Sequence, residues 1–285
     1  MDHPVPPGWL PLSPCTPACL PSPAVRAGGT QALRLLAIAA VLLTALVTVP
    51  FVGRGPWLRA CCRGLLRAAG VRLQVTSACD GWDGVLVVAN HLSWIDVLAL
   101  AAVAPVRPLA KREVEEWPLI GRLARSAGAL FVDRAGLRAL PGTVAELAAE
   151  LRAGGAVAVF PEGTTWCGAA AGPFRRAAFQ AALDAGAPVR PIAITFRNGD
   201  GEPARAAAFV GAQSLLDSML RVVRTPGLTC ELAVLADLAP VGDRRALARN
   251  AEASVARTTG VPHGIRPSAA LVGDVDRRIQ DDRAA

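Results

Sequence analysis

The chain has 285 residues, 52% of them hydrophobic and only 19% charged, with a formal net charge of +7. That length suffices for one large domain whose core needs no disulfide or metal staples. The charged share, below the roughly 25% of ordinary soluble domains, argues against a fully disordered chain and points towards membrane contact; seven Phe, six Trp and no Tyr argue against an RNA reader built on rows of stacking aromatics.

Residues 1–30 are rich in Pro, show no period, and read as a disordered leader. Leu35–Val52 is then an uncharged run of 18 residues, near the lower limit for crossing a bilayer core. A secretory signal fits poorly, because the apolar stretch is too long and no clear small-x-small cleavage site follows; a buried soluble helix is the other competitor. The reading adopted is a membrane-anchoring helical segment over 31–70, spanning or re-entrant. Arg34 before the run and Arg54 and Arg59 after it leave its orientation open. Within the segment, Arg59, Arg63 and Arg67 fall at i, i+4 and i+8 of a short amphipathic helix, Trp57–Gly70, suited to a headgroup layer. No acidic residue lies between Asp2 and Asp80, while seven arginines do, so the local partner is anionic lipid and not nucleic acid.

From residue 71 the texture alternates. Val71–Val75, Val85–Ala89, Arg107–Ala110, Ala129–Val132, Ala156–Phe160, Val189–Phe196 and Leu228–Leu235 read as strands. Trp94–Ala102, Val114–Ser126, Leu137–Ala153, Phe174–Ala185, Gln213–Val223 and Arg244–Arg257 read as helices. This predicts an α/β fold with a mixed central sheet flanked by helices over 71–240, then a C-terminal helix and a loose polar tail over 241–285. The seven cysteines, at 15, 19, 61, 62, 79, 167 and 230, have no repeating spacing. Cys15 and Cys19 lack a second Cys/His pair in zinc spacing, so the sequence predicts a reducing compartment, no disulfide framework and no metal site.

Three histidines exist. His3 lies in the leader and His263 in a loop near the tail. His91 follows the apolar strand VLVVAN, where α/β sheets usually place their sites, and Asp96 stands five residues on. Ser93-x-x-Asp96 has the form of a helix start. It would put His91 in the turn and Asp96 in the first helical turn, close enough to hold the imidazole and leave its other nitrogen for a substrate hydroxyl. Taken alone, the H-x4-D spacing favours the plainer reading of a capping Asp beside a satisfied turn His. Two more strand ends add to it: Phe160-Pro161-Glu162-Gly163-Thr164-Thr165, a loop able to hold an anion on backbone N–H groups, and Phe131-Val132-Asp133-Arg134, where Arg can grip phosphate.

Their order and content resemble one family. NHLSWID, AKREVEEWPLIG, GALFVDR, FPEGTT and APVRPIAI are similar to the successive motif blocks of the glycerolipid acyltransferases, nearest the 1-acylglycerol-3-phosphate acyltransferases. The resemblance implies acyl transfer from acyl-CoA or acyl-carrier protein to the hydroxyl of a lysophospholipid acceptor at a membrane, giving phosphatidic acid, with no cofactor and no metal. Glycerol-3-phosphate, another lysophospholipid or a lyso-aminolipid are the alternative acceptors; a non-catalytic lipid binder is the alternative class. It assigns His91 as base and Asp96 as its partner. Arg134, Glu162, Gly163 and Thr164 are assigned to acceptor binding, and Lys111, the one lysine in the chain, is expected to add a second charge. A cell inner membrane with a cytoplasmic active site is the implied location. The chain departs from the pattern after FPEGTT-Trp166, where Cys167, Gly168 and the small-residue run AAAG stand.

Overall fold

The computed structural model describes residues 11–21, 28–48, 54–77, 81–133, 138–211 and 213–265. Helices α1 (Gly28–Thr48) and α2 (Arg54–Ala68) lead into strands β1 (Arg72–Thr76) and β2 (Leu86–Ala89), helix α3 (Trp94–Val103), strand β3 (Val106–Lys111), and the short helices α4 (Arg112–Glu115) and α5 (Ile120–Ser126). Then come β4 (Leu130–Val132), α6 (Leu140–Arg152), β5 (Ala156–Val159), α7 (Ala177–Ala185), β6 (Val189–Arg197), α8 (Leu215–Arg224), β7 (Thr229–Val234) and α9 (Arg244–Thr259).

The seven strands form one sheet in the order β1-β7-β6-β2-β5-β3-β4. Pairing is parallel except between β6 and β7, so the sheet is mixed, as predicted. Strands β2 to β6 all point one way, and their C-terminal ends share one edge. Every residue of β2 and β5 is buried, which is why both read as unbroken apolar runs: a parallel strand with helices on both faces has no solvent side. Alternation still sorts their side chains. Val87 and Ala89 pack with α2, α3 and α8; Leu86 and Val88 pack with α6, α7 and α9.

The differences from expectation are local. The single helix expected over Val114–Ser126 is split into α4 and α5 around Pro118, whose ring and missing N–H do not fit a helix interior. Helix α7 begins at Ala177 and not Phe174, because the preceding amides bond elsewhere: Phe174 N–H to Glu252 Oε2 at 2.9 Å and Arg175 N–H to Pro161 O at 2.9 Å. The expectation of a disordered leader over 1–30 does not hold for residues 11–21. This stretch includes a 3-10 turn, Pro17–Cys19, and buries Cys15 against Trp166, Cys167, Ala208 and Val210. The tail expected beyond residue 265 lies outside the described residues.

Helix α1 is long and apolar enough to cross a membrane. One side of it, including Ile38, joins the core beside α2. The other side exposes Leu33, Leu36, Leu43 and Val47, which the helical repeat places on one stripe. Arg34 fixes the helix to the domain. Its Nη1 donates to Val223 O at 2.7 Å, and its guanidinium lies over Gly70, where a Cβ would come 2.2 Å from Arg34 Cζ.

Candidate active site

The site begins at the end of β2. Asn90 is buried and clamps both polar groups of one residue on β6: its Nδ2 donates to Ile194 O at 2.9 Å, and its Oδ1 accepts from Ile194 N–H at 2.8 Å. The strand end is thereby pinned, and His91 leaves the sheet from a fixed point. The predicted capping motif is present in full. Ser93 Oγ accepts from Ile95 N–H at 3.3 Å, and Asp96 Oδ2 accepts from Ser93 N–H at 2.8 Å and Leu92 N–H at 2.6 Å. The same Oδ2 lies 2.9 Å from His91 Nδ1.

Asp96 is fully buried, whereas the His91 side chain is 15% exposed. A carboxylate already receiving two amides is an acceptor, which assigns the ring proton to Nδ1 and the lone pair to Nε2, on the side away from Asp96. Phe160 stacks on the ring, centroids 4.0 Å apart and planes 18° from parallel. Carboxylate, backbone and aromatic face therefore leave the imidazole one orientation. The cap and the histidine partner are one residue, so the two readings of H-x4-D hold together.

Glu162 follows β5 and turns inward. Its Oε1 accepts from His91 N–H at 3.2 Å, and its carboxyl is buried. Burial pushes its pKa well above the ordinary 4.5; the His91 amide pulls the other way, and the nearby charges of Asp96 and Glu252 push it further up. Glu162 thus braces the histidine backbone as well as lining the cavity. Thr165 fixes the far end of the loop by donating from Oγ1 to Phe209 O.

A cavity of about 200 Å³ opens on His91 and is lined also by Glu162, Trp166, Arg197, Arg205 and His263. It is smaller than the roughly 300–1,000 Å³ of a typical small-molecule pocket. A larger cavity of about 860 Å³, between α2 and β1, holds Arg63, Arg67 and Arg72 but none of the residues just described.

Sequence reasoning placed five residues besides the His91–Asp96 pair at the site, and the structure brings in one of them fully. Glu162 lines the cavity; Gly163 and Thr164, beside it in the chain, do not. Gly163, at φ +76°, is covered by Pro11, to whose Cβ a side chain there would come within 2.6 Å. Lys111 ends β3 on the same sheet edge, two strands from β2, so about 10 Å away across the sheet. It is half exposed, outside the cavity, and paired with Glu113 at 3.0 Å. Arg134 lies outside the described residues.

Missed were Asn90, Arg197, Arg205 and His263. For Asn90 the available signal was an amide directly after an all-apolar strand. The others come from distant segments, and nothing in their neighbours' spacing announces them. Both ring nitrogens of His263 are buried with no hydrogen-bond partner among the described residues, and burial lowers its pKa from 6.5 to about 4.

The acyltransferase family model matches residues 76–195, from the end of β1 through most of β6, and so includes His91, Asp96 and Glu162. The 1-acyl-sn-glycerol-3-phosphate acyltransferase of Neisseria meningitidis is 34% identical over 196 residues, 68% of this chain and 76% of that protein. The chain belongs to the acyltransferase family. The lyso-ornithine lipid O-acyltransferase of Pseudomonas aeruginosa is 40% identical over 174 residues, covering 60% of this acyltransferase and 66% of its own length. Among solved structures, the 1-acyl-sn-glycerophosphate acyltransferase PlsC of Thermotoga maritima superposes with a TM-score of 0.56 over 81% of this chain and 96% of that one, at 20% identity, a likeness of fold. In this acyltransferase, the family model ends before His263 and begins after the packed segment 11–21.

Proposed function

We propose that the protein transfers a fatty acyl group from an acyl thioester to the free hydroxyl of 1-acyl-sn-glycerol-3-phosphate, giving phosphatidic acid at a membrane surface. The observation that carries this reading is the 2.9 Å contact between His91 Nδ1 and Asp96, which leaves Nε2 as a base at the mouth of the cavity. The acceptor is argued from the name of the 34% identical relative.

A lipid hydroxyl is a poor nucleophile at neutral pH. His91 Nε2 takes its proton as the oxygen bonds to the thioester carbonyl, and Asp96 steadies the imidazolium that forms. The tetrahedral intermediate collapses with loss of the thiolate, which receives the proton back from His91. A thioester already has a good leaving group, so no acyl-enzyme is needed. Arg205, exposed at the cavity wall, supplies a cation for the anionic headgroup.

The membrane supplies the tails. The outward stripe of α1, Leu33, Leu36, Leu43 and Val47, is apolar and unpaired with protein, which lipid satisfies and water does not. Arg63 and Arg67, exposed on α2, suit anionic headgroups. The active site then faces the cytoplasm from the inner membrane, where acyl-CoA or acyl-carrier protein delivers the donor.

A second acceptor is favoured by one observation: the 40% identity with a lyso-ornithine lipid O-acyltransferase. Membranes carrying the protein, given labelled acyl-CoA or acyl-carrier protein and a panel of lysophosphatidic acid, glycerol-3-phosphate, lyso-ornithine lipid and other lysophospholipids, decide between them. Labelled phosphatidic acid formed from lysophosphatidic acid and lost in His91→Ala is the expected result. Product from lyso-ornithine lipid alone replaces the acceptor and leaves the chemistry standing.

A further inference from the structure

Fold and sequence part company at the departure after FPEGTT-Trp166. Cys167, which begins that departure, is buried against two cysteines from the N-terminal segment, and the sulfurs of Cys15, Cys19 and Cys167 all lie within 4.8 Å of one another. Cys15 and Cys19 are spaced C-x3-C across the 3-10 turn Pro17–Cys19, a ligand spacing used by zinc sites. Sequence spacing gave no partner for this pair because the third thiol is 148 positions further on.

We propose that Cys15, Cys19 and Cys167 form a three-thiolate site for a thiophilic divalent cation, with Zn²⁺ as its representative, which clasps segment 11–21 onto the acceptor loop. Zinc–sulfur bonds of about 2.3 Å put tetrahedral sulfurs about 3.8 Å apart, so closing the observed triangle takes side-chain movements of less than about 1 Å. The surroundings fit bound thiolates. Cys167 N–H donates to Cys15 Sγ at 3.3 Å, and the Ala169 amide donates to Cys167. Such outer contacts orient metal ligands. One Zn²⁺ with three thiolates carries a single negative charge, and the Arg205 guanidinium acts on Cys167 from nearby. Trp166, Ala208, Val210, Leu20 and Ala170 pack around the group as a small apolar cluster of their own. Cys19 is half-buried, so the cluster is not sealed from solvent on that side.

The consequence is mechanical. Segment 11–21 covers Gly163 of the acceptor loop through Pro11 and meets the rest of the molecule chiefly through this cluster. Metal release would free the cover over the loop that follows β5. The inference rests on the three thiols and is independent of which lipid is the acceptor.

The test uses the full chain in detergent, reduced with a phosphine and handled without oxygen, so that disulfides do not compete. Zn²⁺ is titrated against a chromophoric chelator, and Co²⁺ is used as a spectroscopic probe. The expected result is one equivalent of Zn²⁺, a Co²⁺ spectrum with thiolate charge-transfer bands, and metal-dependent protection of segment 11–21 from protease. Cys19→Ser, at a half-buried position that tolerates the change, should weaken binding about a hundredfold or more, and Cys19→His should restore much of it. Cys61→Ser, outside the cluster, should bind as the parent does. Zinc uptake that is the same in the parent and in a Cys15/Cys19/Cys167 triple-serine variant overturns the proposal. So does a Co²⁺ spectrum without thiolate bands, or parental affinity in Cys19→Ser.

Discussion

The two walls of the cavity at His91 are built differently. On the wall that holds His91, Asn90, His91, Ser93 and Asp96 come from seven consecutive residues, and their side chains bond within five positions of one another except where Asn90 clamps β6; only the His91 backbone reaches across, to Glu162 and Trp166. The facing wall takes Glu162 and Trp166 from one loop, Arg205 from a second and His263 from a third, with segment 11–21 packed behind them. A local constellation can be moved intact onto a strand end, because strand, turn and cap specify it. An assembled wall exists only once the whole sheet has formed.

The largest effect should come from the local wall. His91→Ala removes the base, and turnover should fall about 10²–10⁴-fold while acceptor binding survives, as measured by labelled product formation beside a lipid-binding assay. Asp96→Ala strikes twice. It strips His91 of its orienting partner and leaves the Leu92 and Ser93 amides without an acceptor. Turnover should drop about 10²-fold or more, and stability by about 0.5–2 kcal/mol from the lost cap, read from product assays and urea melts. A variant that loses activity with no change in stability would separate the two roles that one carboxylate oxygen now serves.

Glu162 joins the two walls and should show an intermediate effect. Its buried carboxyl is held well above 4.5, so the folded state keeps the proton that the unfolded chain gives up. Stability from this group is complete below pH 4.5 and is lost as pH rises towards the folded value. Glu162→Gln keeps an acceptor for the His91 amide and cannot ionise, so its thermal midpoint should fall less than the parent's on going to alkaline pH. Glu162→Ala leaves that amide without its partner and should cost about 1–3 kcal/mol at low pH, where the parent's carboxyl is protonated, and less as pH rises. Equal pH slopes in parent and Gln variant would mean that Glu162 is not the titrating group.

The contrast between the walls also explains what could be read from the amino acids. Strands such as LVVA and AVAV are apolar throughout because both faces are covered, and S-x-x-D before an apolar helix is a cap in any context. Those signals gave the sheet, the capping box and the His91–Asp96 pair. Lys111 was misplaced because chain order within a motif block says nothing about strand order, and the sheet sets it two strands away from β2. Segment 11–21 was misread for a similar reason. Pro-rich composition does not reveal that Cys15 meets a thiol brought round by β5. Burial by distant segments, which sets the behaviour of Glu162 and His263, leaves no periodic trace.

His263 gives the smallest effect and the sharpest comparison with His91. Both imidazoles line one cavity, but burial holds His263 at about 4 against an ordinary 6.5, so above pH 5 it is neutral. Its two buried nitrogens, one donor and one acceptor, have no partner among the described residues, yet it cannot supply a titration between pH 5 and 8. His263→Gln should therefore raise the acceptor KM a few-fold with little change in kcat. It should leave any acid limb of the pH–rate profile in that range where the parent has it. A limb that moves or vanishes in His263→Gln would transfer the titration to the assembled wall. The lowered pKa also predicts that the contribution of His263 to stability falls as pH goes from about 6.5 to about 4, the window in which the unfolded chain binds the proton that folded His263 refuses, opposite in sign to the contribution of Glu162. His263→Gln should shallow that loss, and a melt series across the window reads it without reference to activity.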